Sequence, residues 1–226
     1  MKILVSWSSG KDSAWTLQTL RSEYPGSVAG LLTSLNETVD RVSMHAVRHD
    51  VLRAQAVAAG LPLYTIPLPY PCSNEVYEQR LRDAIARAVT AGFTHVAYGD
   101  LFLEDIRRYR ETQMAGTGLE PLFPIWGRAT GPLAREMVAA GVRARITCVN
   151  PRVMPREFAG QEFAEVLDLL PEGVDPCGER GEFHTCVTAG PMFSAPLQIT
   201  PGEVVERDGF VFADLELAEP LLDPRR

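Results

Sequence analysis

The sequence predicts an α/β protein: a parallel sheet with helices on both faces, then a smaller α+β domain. Three observations carry this. Short apolar runs alternate with helix-period patterns through the first half. A loop of small residues follows the first apolar run directly. A glycine- and proline-rich stretch then separates this half from one in which the alternation stops.

Taken in order, the expected strands of the first half are residues 2–7, 28–35, 63–67 and 94–98, with helices over 12–21, 48–59 and 75–90 between them. The last helix is the clearest. Tyr77, Leu81, Ala84, Ile85 and Ala88 recur at helical spacing behind the capping candidates Ser73 and Asn74. A further helix over 103–115 permits the pair Glu104–Arg108. Residues 116–132 hold four glycines and three prolines and read as the passage between domains, giving units of 1–125 and 126–226. Beyond it, Thr130-Gly131-Pro132 reads as a helix start with Leu133 and Met137 facing inward. A strand over 142–149, a helix over 158–170 and a hairpin over 202–217 turning at Asp208-Gly209 complete the prediction.

Alternation of this kind gathers ligands at the carboxyl ends of the strands, where residues 8–13 and Gly99-Asp100 both fall. The first segment, Ser8-Ser9-Gly10-Lys11-Asp12-Ser13, has the makings of an anion cradle. Its small residues allow close backbone approach, Lys11 brings charge and Ser13 a hydroxyl, and the helix start adds unpaired N–H groups. Spacing excludes two common cradles. A P-loop would need glycine at Val5 and a hydroxyl at Asp12, and the dinucleotide fingerprint fails because Gly10 is the sole glycine before Gly26.

The second chemical cluster is Cys177-Gly178-Glu179-Arg180-Gly181-Glu182-Phe183-His184-Thr185-Cys186. If 182–187 is extended, Glu182, His184 and Cys186 share one face. A carboxylate beside an imidazole can move protons or orient an amine; a solvated turn entering a strand is the other reading. Asp12 and Asp100 each read either as magnesium ligands or as helix caps. Among the remaining candidates, Arg48 suits a phosphate, His45 suits either a ligand or a structural role, and His49 and His95 read as structural. The arginines of 104–110 read as a solvated or interdomain helix face.

Bulk properties narrow the classes. The 226 residues carry 22 basic and 29 acidic side chains, a net charge of −7 that argues against a nucleic-acid partner. No stretch reaches membrane-span length, so a cytoplasmic location with no membrane partner is expected. Cys72, Cys148, Cys177 and Cys186 form no metal-type spacing and read as idle thiols.

The opening loop resembles Ser-Gly-Gly-Lys-Asp-Ser of the N-type ATP pyrophosphatases at five of six positions, with Ser9 in place of the first glycine. Together with Gly-Glu-x-Gly-Glu-Phe-His-Thr at 178–185, the segment from Gly99 to Arg107 and the pair Gly190-Pro191, the chain resembles the diphthine–ammonia ligase family. That resemblance implies a Rossmann-like, HUP-type nucleotide domain and a C-terminal domain closing over its site. It also implies ATP and Mg2+ as cofactors, and an AMP-forming reaction in which a carboxylate is adenylated and ammonia displaces AMP. Ser8, Ser9, Gly10, Lys11, Asp12, Ser13, His45, Arg48, Gly99 and Asp100 would hold the nucleotide, with Asp12 and Asp100 on the metal. Lys11, Asp12, Glu182 and His184 would be catalytic.

The family's acceptor is diphthine on elongation factor 2, expected here only in an archaeal or eukaryotic setting. Otherwise the carboxylate acceptor is unidentified. No length is left for a glutaminase domain, so ammonium or a partner protein would supply nitrogen, and a homodimer is the assembly kept in view. Two other functions fit the same loop: an ATP pyrophosphatase acting on tRNA or a small molecule, and a non-catalytic ATP sensor.

Overall fold

The computed structural model describes residues 1–42 and 47–218. Its first sheet is built on β1 (Ile3–Ser6), β2 (Val28–Asn36), β3 (Arg41–Val42), β4 (Leu63–Leu68), β5 (His95–Ala97) and β6 (Glu120–Leu122). Five of these are parallel and run β4–β2–β1–β5–β6, while the two-residue β3 pairs antiparallel with the end of β2. The chain therefore leaves β1 in one direction for β2 and β4, and takes up the other side with β5 and β6. The carboxyl end of β1 is the switch point where such sheets bind ligands.

Side-chain alternation along β1 assigns the two faces. Ile3 and Val5 enter one core with Leu17 and Leu20 of α1 (Lys11–Glu23) and Leu52 and Ala56 of α2 (His49–Ala59). Leu4 enters another with Leu81, Ala84 and Ile85 of α3 (Asn74–Thr90) and Met114 of α4 (Glu104–Met114). The Ser73 hydroxyl accepts from the Val76 amide and caps α3, as the sequence predicts.

The second sheet is antiparallel, β8 (Phe183–Ala189), β7 (Arg143–Val149), β10 (Phe210–Leu217) and β9 (Ile199–Arg207), with α5 (Thr130–Ala139) ahead of it. Its hairpin turns at Asp208 and Gly209, both at positive φ (53° and 80°), as the two-residue turn signal requires. The core on the α1 and α2 side runs on without a break into Leu133, Ile146 and Val187, so both sheets close over shared apolar residues.

Two expectations are corrected. The passage at 116–132 contains β6, because Glu120, Pro121 and Leu122 pair with His95, Val96 and Ala97. The predicted helix over 158–170 is instead α6 (Phe163–Val166) between two single 3₁₀ turns. Gly160, at φ +86°, stops the backbone from continuing as one right-handed helix.

Candidate functional site

The loop at the end of β1 is pinned by its own hydroxyls. Ser8 Oγ lies 3.2 Å from Ser13 Oγ and accepts from the Gly10 amide, while Ser13 Oγ donates to the Gly10 carbonyl at 2.9 Å. The C-terminal sheet holds the loop from outside. The Val187 amide donates to the Ser9 carbonyl (2.9 Å), and the Lys11 amide donates to Thr185 Oγ1 (3.1 Å). Gly99 lets the β5 end approach. A Cβ there would stand 3.0 Å from the carbonyl carbon of Asp12, so a side chain would push the strand off α1.

Two neighbouring cavities lie at this loop. One, of about 220 Å³, is polar and lined by Ser8, Lys11, Asp12, Asp100, Glu179 and His184 among others. Its neighbour, of about 280 Å³, is walled by Trp7, Ile66, Tyr98 and Tyr109 beside Thr33 and Ser34 at the end of β2. Ser6, Ser8, Tyr98 and Arg110 border both. An aromatic slot adjacent to a polar one beside a helix N-terminus can take an aromatic ring and an anion on the same ligand.

The comparisons agree with the motifs. The family described as diphthamide synthase C-terminal domain matches residues 130–216. A diphthine–ammonia ligase of Schizosaccharomyces pombe is 29% identical over 91% of this chain, which spans 37% of that relative's length. Those of Mus musculus and Homo sapiens are each 26% identical over 94% of the chain and 88% of their own length. The chain is similar to these diphthine–ammonia ligases along more than nine-tenths of its length.

Within the loop, Ser9 stands where the motif that it resembles has glycine. It sits at φ +73°, a conformation that suits the glycine of the family motif. It is fully buried, and its hydroxyl has no hydrogen-bond partner among the described residues. Strain and an unpaired hydroxyl outweigh the extra unfolded-state freedom of glycine. Ser9→Gly is therefore expected to stabilise the protein by about 1 kcal/mol, read as an upward shift of the urea midpoint; an unchanged or lower midpoint contradicts this.

Lys11 is held within the protein. Its ammonium is buried, 2.9 Å from Asp12 Oδ2, donates to the Cys177 carbonyl, and lies 5.2 Å and 5.4 Å from the Phe183 and Phe163 ring centroids. Burial works to lower its pKa; Asp12, Cys177 and Asp175 more than offset this, so the pKa is raised and the charge is kept. Asp12 and Asp100 line the same cavity, and each has a buried oxygen without a hydrogen-bond partner among the described residues, Oδ1 and Oδ2 respectively. Asp100 Oδ2 has only a long ion pair, 3.5 Å, to Arg110 Nε.

Two candidates fall elsewhere. Glu182 lines none of these cavities; its two oxygens accept from the Asp175 and Arg180 amides (3.0 and 2.9 Å), because the turn at 175–181 leaves those N–H groups unpaired. Arg48 binds Asp214 (2.5 Å) and Glu216 (2.5 Å), tying the C-terminal hairpin to the first sheet. The two arginines at Asp214, Arg41 and Arg48, overcome its burial and hold its carboxyl below the usual range. His45 lies outside the described residues. His184 does line the polar cavity, and burial, with the Lys11 charge, lowers its pKa to about 4, leaving a neutral imidazole at physiological pH.

Glu179 and Arg110 line the polar cavity, and Gln55 holds its loop from behind through the Ser9 carbonyl. Glu179 Oε1 accepts from the Leu101 amide at 2.7 Å. Burial raises its pKa to about 7; amides of Leu101 and Phe102 oppose the shift, and Asp12 and Asp100 add to it. A carboxyl raised above its unfolded value stabilises the fold where it is protonated, and that contribution is lost as pH climbs from 4.5 through 7. Glu179→Gln keeps an acceptor for Leu101 and removes the charge. It should therefore exceed the wild type in stability by roughly 2 kcal/mol near pH 8, after solvent screening of this partly exposed group, and by little near pH 4.5. Chemical denaturation at the two pH values checks this, and a pH-independent difference would contradict it. Arg110, read from sequence as helix surface, borders both cavities with its guanidinium 4.8 Å above the Tyr98 ring.

Proposed function

We propose that this chain is an ATP-dependent, AMP-forming amide ligase acting on a carboxylate acceptor, diphthine-like in chemistry. The observation that carries the reading is the loop at the β1 end, held against β8, opening at once onto a polar and an aromatic cavity. Adenosine suits the aromatic cavity and the phosphates the polar one. The relatives' name, diphthine–ammonia ligase, supports both substrates and the carbon–nitrogen bond formed. In this reading Ser8, Ser9, Gly10, Ser13 and Gly99 shape the cradle, and Lys11, Asp12, Asp100 and His184 carry its charge and proton chemistry.

A carboxylate oxygen attacks the α-phosphorus of ATP, and the bond to the bridging oxygen breaks with its electron pair leaving on pyrophosphate. Ammonia then attacks the acyl carbon and AMP departs with the electron pair; the proton shed by nitrogen has the neutral His184 as an acceptor within the cavity. Lys11 supplies fixed positive charge in a low-dielectric wall, where it stabilises developing negative charge most.

Asp12 and Asp100 fit magnesium, since each brings to one cavity a buried carboxylate oxygen that makes no hydrogen bond among the described residues. An ion held by two carboxylates together with phosphates needs no third side-chain ligand. When bound, magnesium would neutralise charge on the leaving pyrophosphate. No helix among the described residues is long and apolar enough to cross a membrane.

The test is to incubate the protein with ATP, magnesium, ammonium and elongation factor 2 bearing diphthine, and to follow the modified residue by mass spectrometry. Conversion of its carboxylate to a carboxamide, dependent on all components, is expected. An unmodified factor with ATP consumed would favour another acceptor, and a protein that binds ATP without consuming it would favour a sensor.

A further inference from the structure

A third cavity, of about 400 Å³, lies between the ends of β2 and β4 and the C-terminal hairpin. Val39, Val42, Leu68, Tyr70, Phe210 and Phe212 give it apolar walls, and its volume is that of a small-molecule site. His184 borders this cavity and the polar one, so a single imidazole stands where the two approach each other. The outer end is open to solvent, with Val39 46% and Tyr70 65% exposed. Arg207 stacks 5.2 Å above the Phe212 ring at the same cavity.

We propose that this cavity binds the acceptor: a carboxylate on a linear apolar stem, carboxylate at the His184 end and trailing end projecting past Val39 and Tyr70. The proposal rests on the amide-ligase reading. If a nucleotide occupies the aromatic and polar cavities, the acceptor must reach the α-phosphorus from another direction, and the His184 wall is where a third space meets the phosphates. Apolar walls remove water from the acceptor, which protects an activated acyl group from hydrolysis. Lys11 lines the polar cavity together with His184, and its charge offsets part of the loss of water around an entering carboxylate. An open outer end admits a stem that remains attached to a larger molecule.

The experiment uses the full chain and 5-phenylpentanoate as the probe, with acetate for comparison, binding being measured by saturation-transfer NMR and calorimetry. The wild type should bind phenylpentanoate saturably and acetate at least tenfold more weakly. Val39→Trp fills the mouth from an exposed position and should weaken phenylpentanoate at least tenfold while ATP affinity stays within twofold. A second readout is Cys72, the one cysteine of the four that is not fully buried, which lines the cavity. Its alkylation by N-ethylmaleimide should slow when phenylpentanoate is present. Absence of saturable binding, or equal binding by Val39→Trp with no protection of Cys72, overturns the assignment. The amide-ligase reading fails on a separate result, ATP left uncleaved with the diphthine-bearing factor and ammonium present, so the two failures are distinguishable.

Discussion

Lys11→Met is expected to lower pyrophosphate release by roughly a hundred- to a thousandfold, the loss typical of one charge-stabilising group in a preorganised site. Methionine retains the stem against Phe163 and Phe183 but takes away the charge that pairs with Asp12 and binds the Cys177 carbonyl. Breaking a buried ion pair from one side also destabilises the protein, here by about 3 kcal/mol. Both effects are measurable on one preparation, by urea denaturation and by a coupled pyrophosphate assay at a temperature where the variant is folded. A folded variant with wild-type turnover would remove Lys11 from the chemistry. A variant as stable as the wild type would contradict the buried pair.

Gln55→Leu should be the most damaging change away from the cavities. The side chain is fully buried, accepts from Trp7 Nε1 (3.0 Å), and donates to the carbonyls of Ser9 (3.1 Å) and Val187 (2.8 Å). It thereby joins the β1 end, the anion loop and β8. Leucine has similar bulk but leaves the indole N–H without its acceptor, and loses both donors. A loss of about 3 kcal/mol follows from unpaired buried polar groups. Because Ser9 is one of the partners, the affinity for ATP should fall as well, by more than tenfold. An intact ATP affinity in a destabilised variant would show Gln55 to be merely structural.

The sequence carries the parallel sheet well because its signals are local. The helical spacing of α3, the Asp208-Gly209 turn and the small-residue loop each act within a few residues, and each appears where expected. β6 is missed because three residues with a proline have no period of their own and become a strand only by pairing with β5. The broken helix at 158–170 shows a single glycine overriding an apolar repeat.

The site is legible in residue type more than in direction. Glu182 and Arg48 were read by what their groups could do, whereas the tertiary fold commits one to amides of its own turn and the other to Asp214. Gln55 did leave a trace, as a polar residue within the buried stripe Val51, Leu52, Ala56 and Ala59 of α2. Nothing local marks Arg110, whose significance arises because α4 carries it between the two cavities.

The most direct measurement labels ATP at the α- and γ-phosphates and identifies the products formed with the diphthine-bearing factor, ammonium and magnesium. Cleavage at the loop as described here gives labelled AMP and labelled pyrophosphate in equal amounts, with no ADP. Labelled ADP with inorganic phosphate would place bond breaking at the γ-phosphorus and contradict the account.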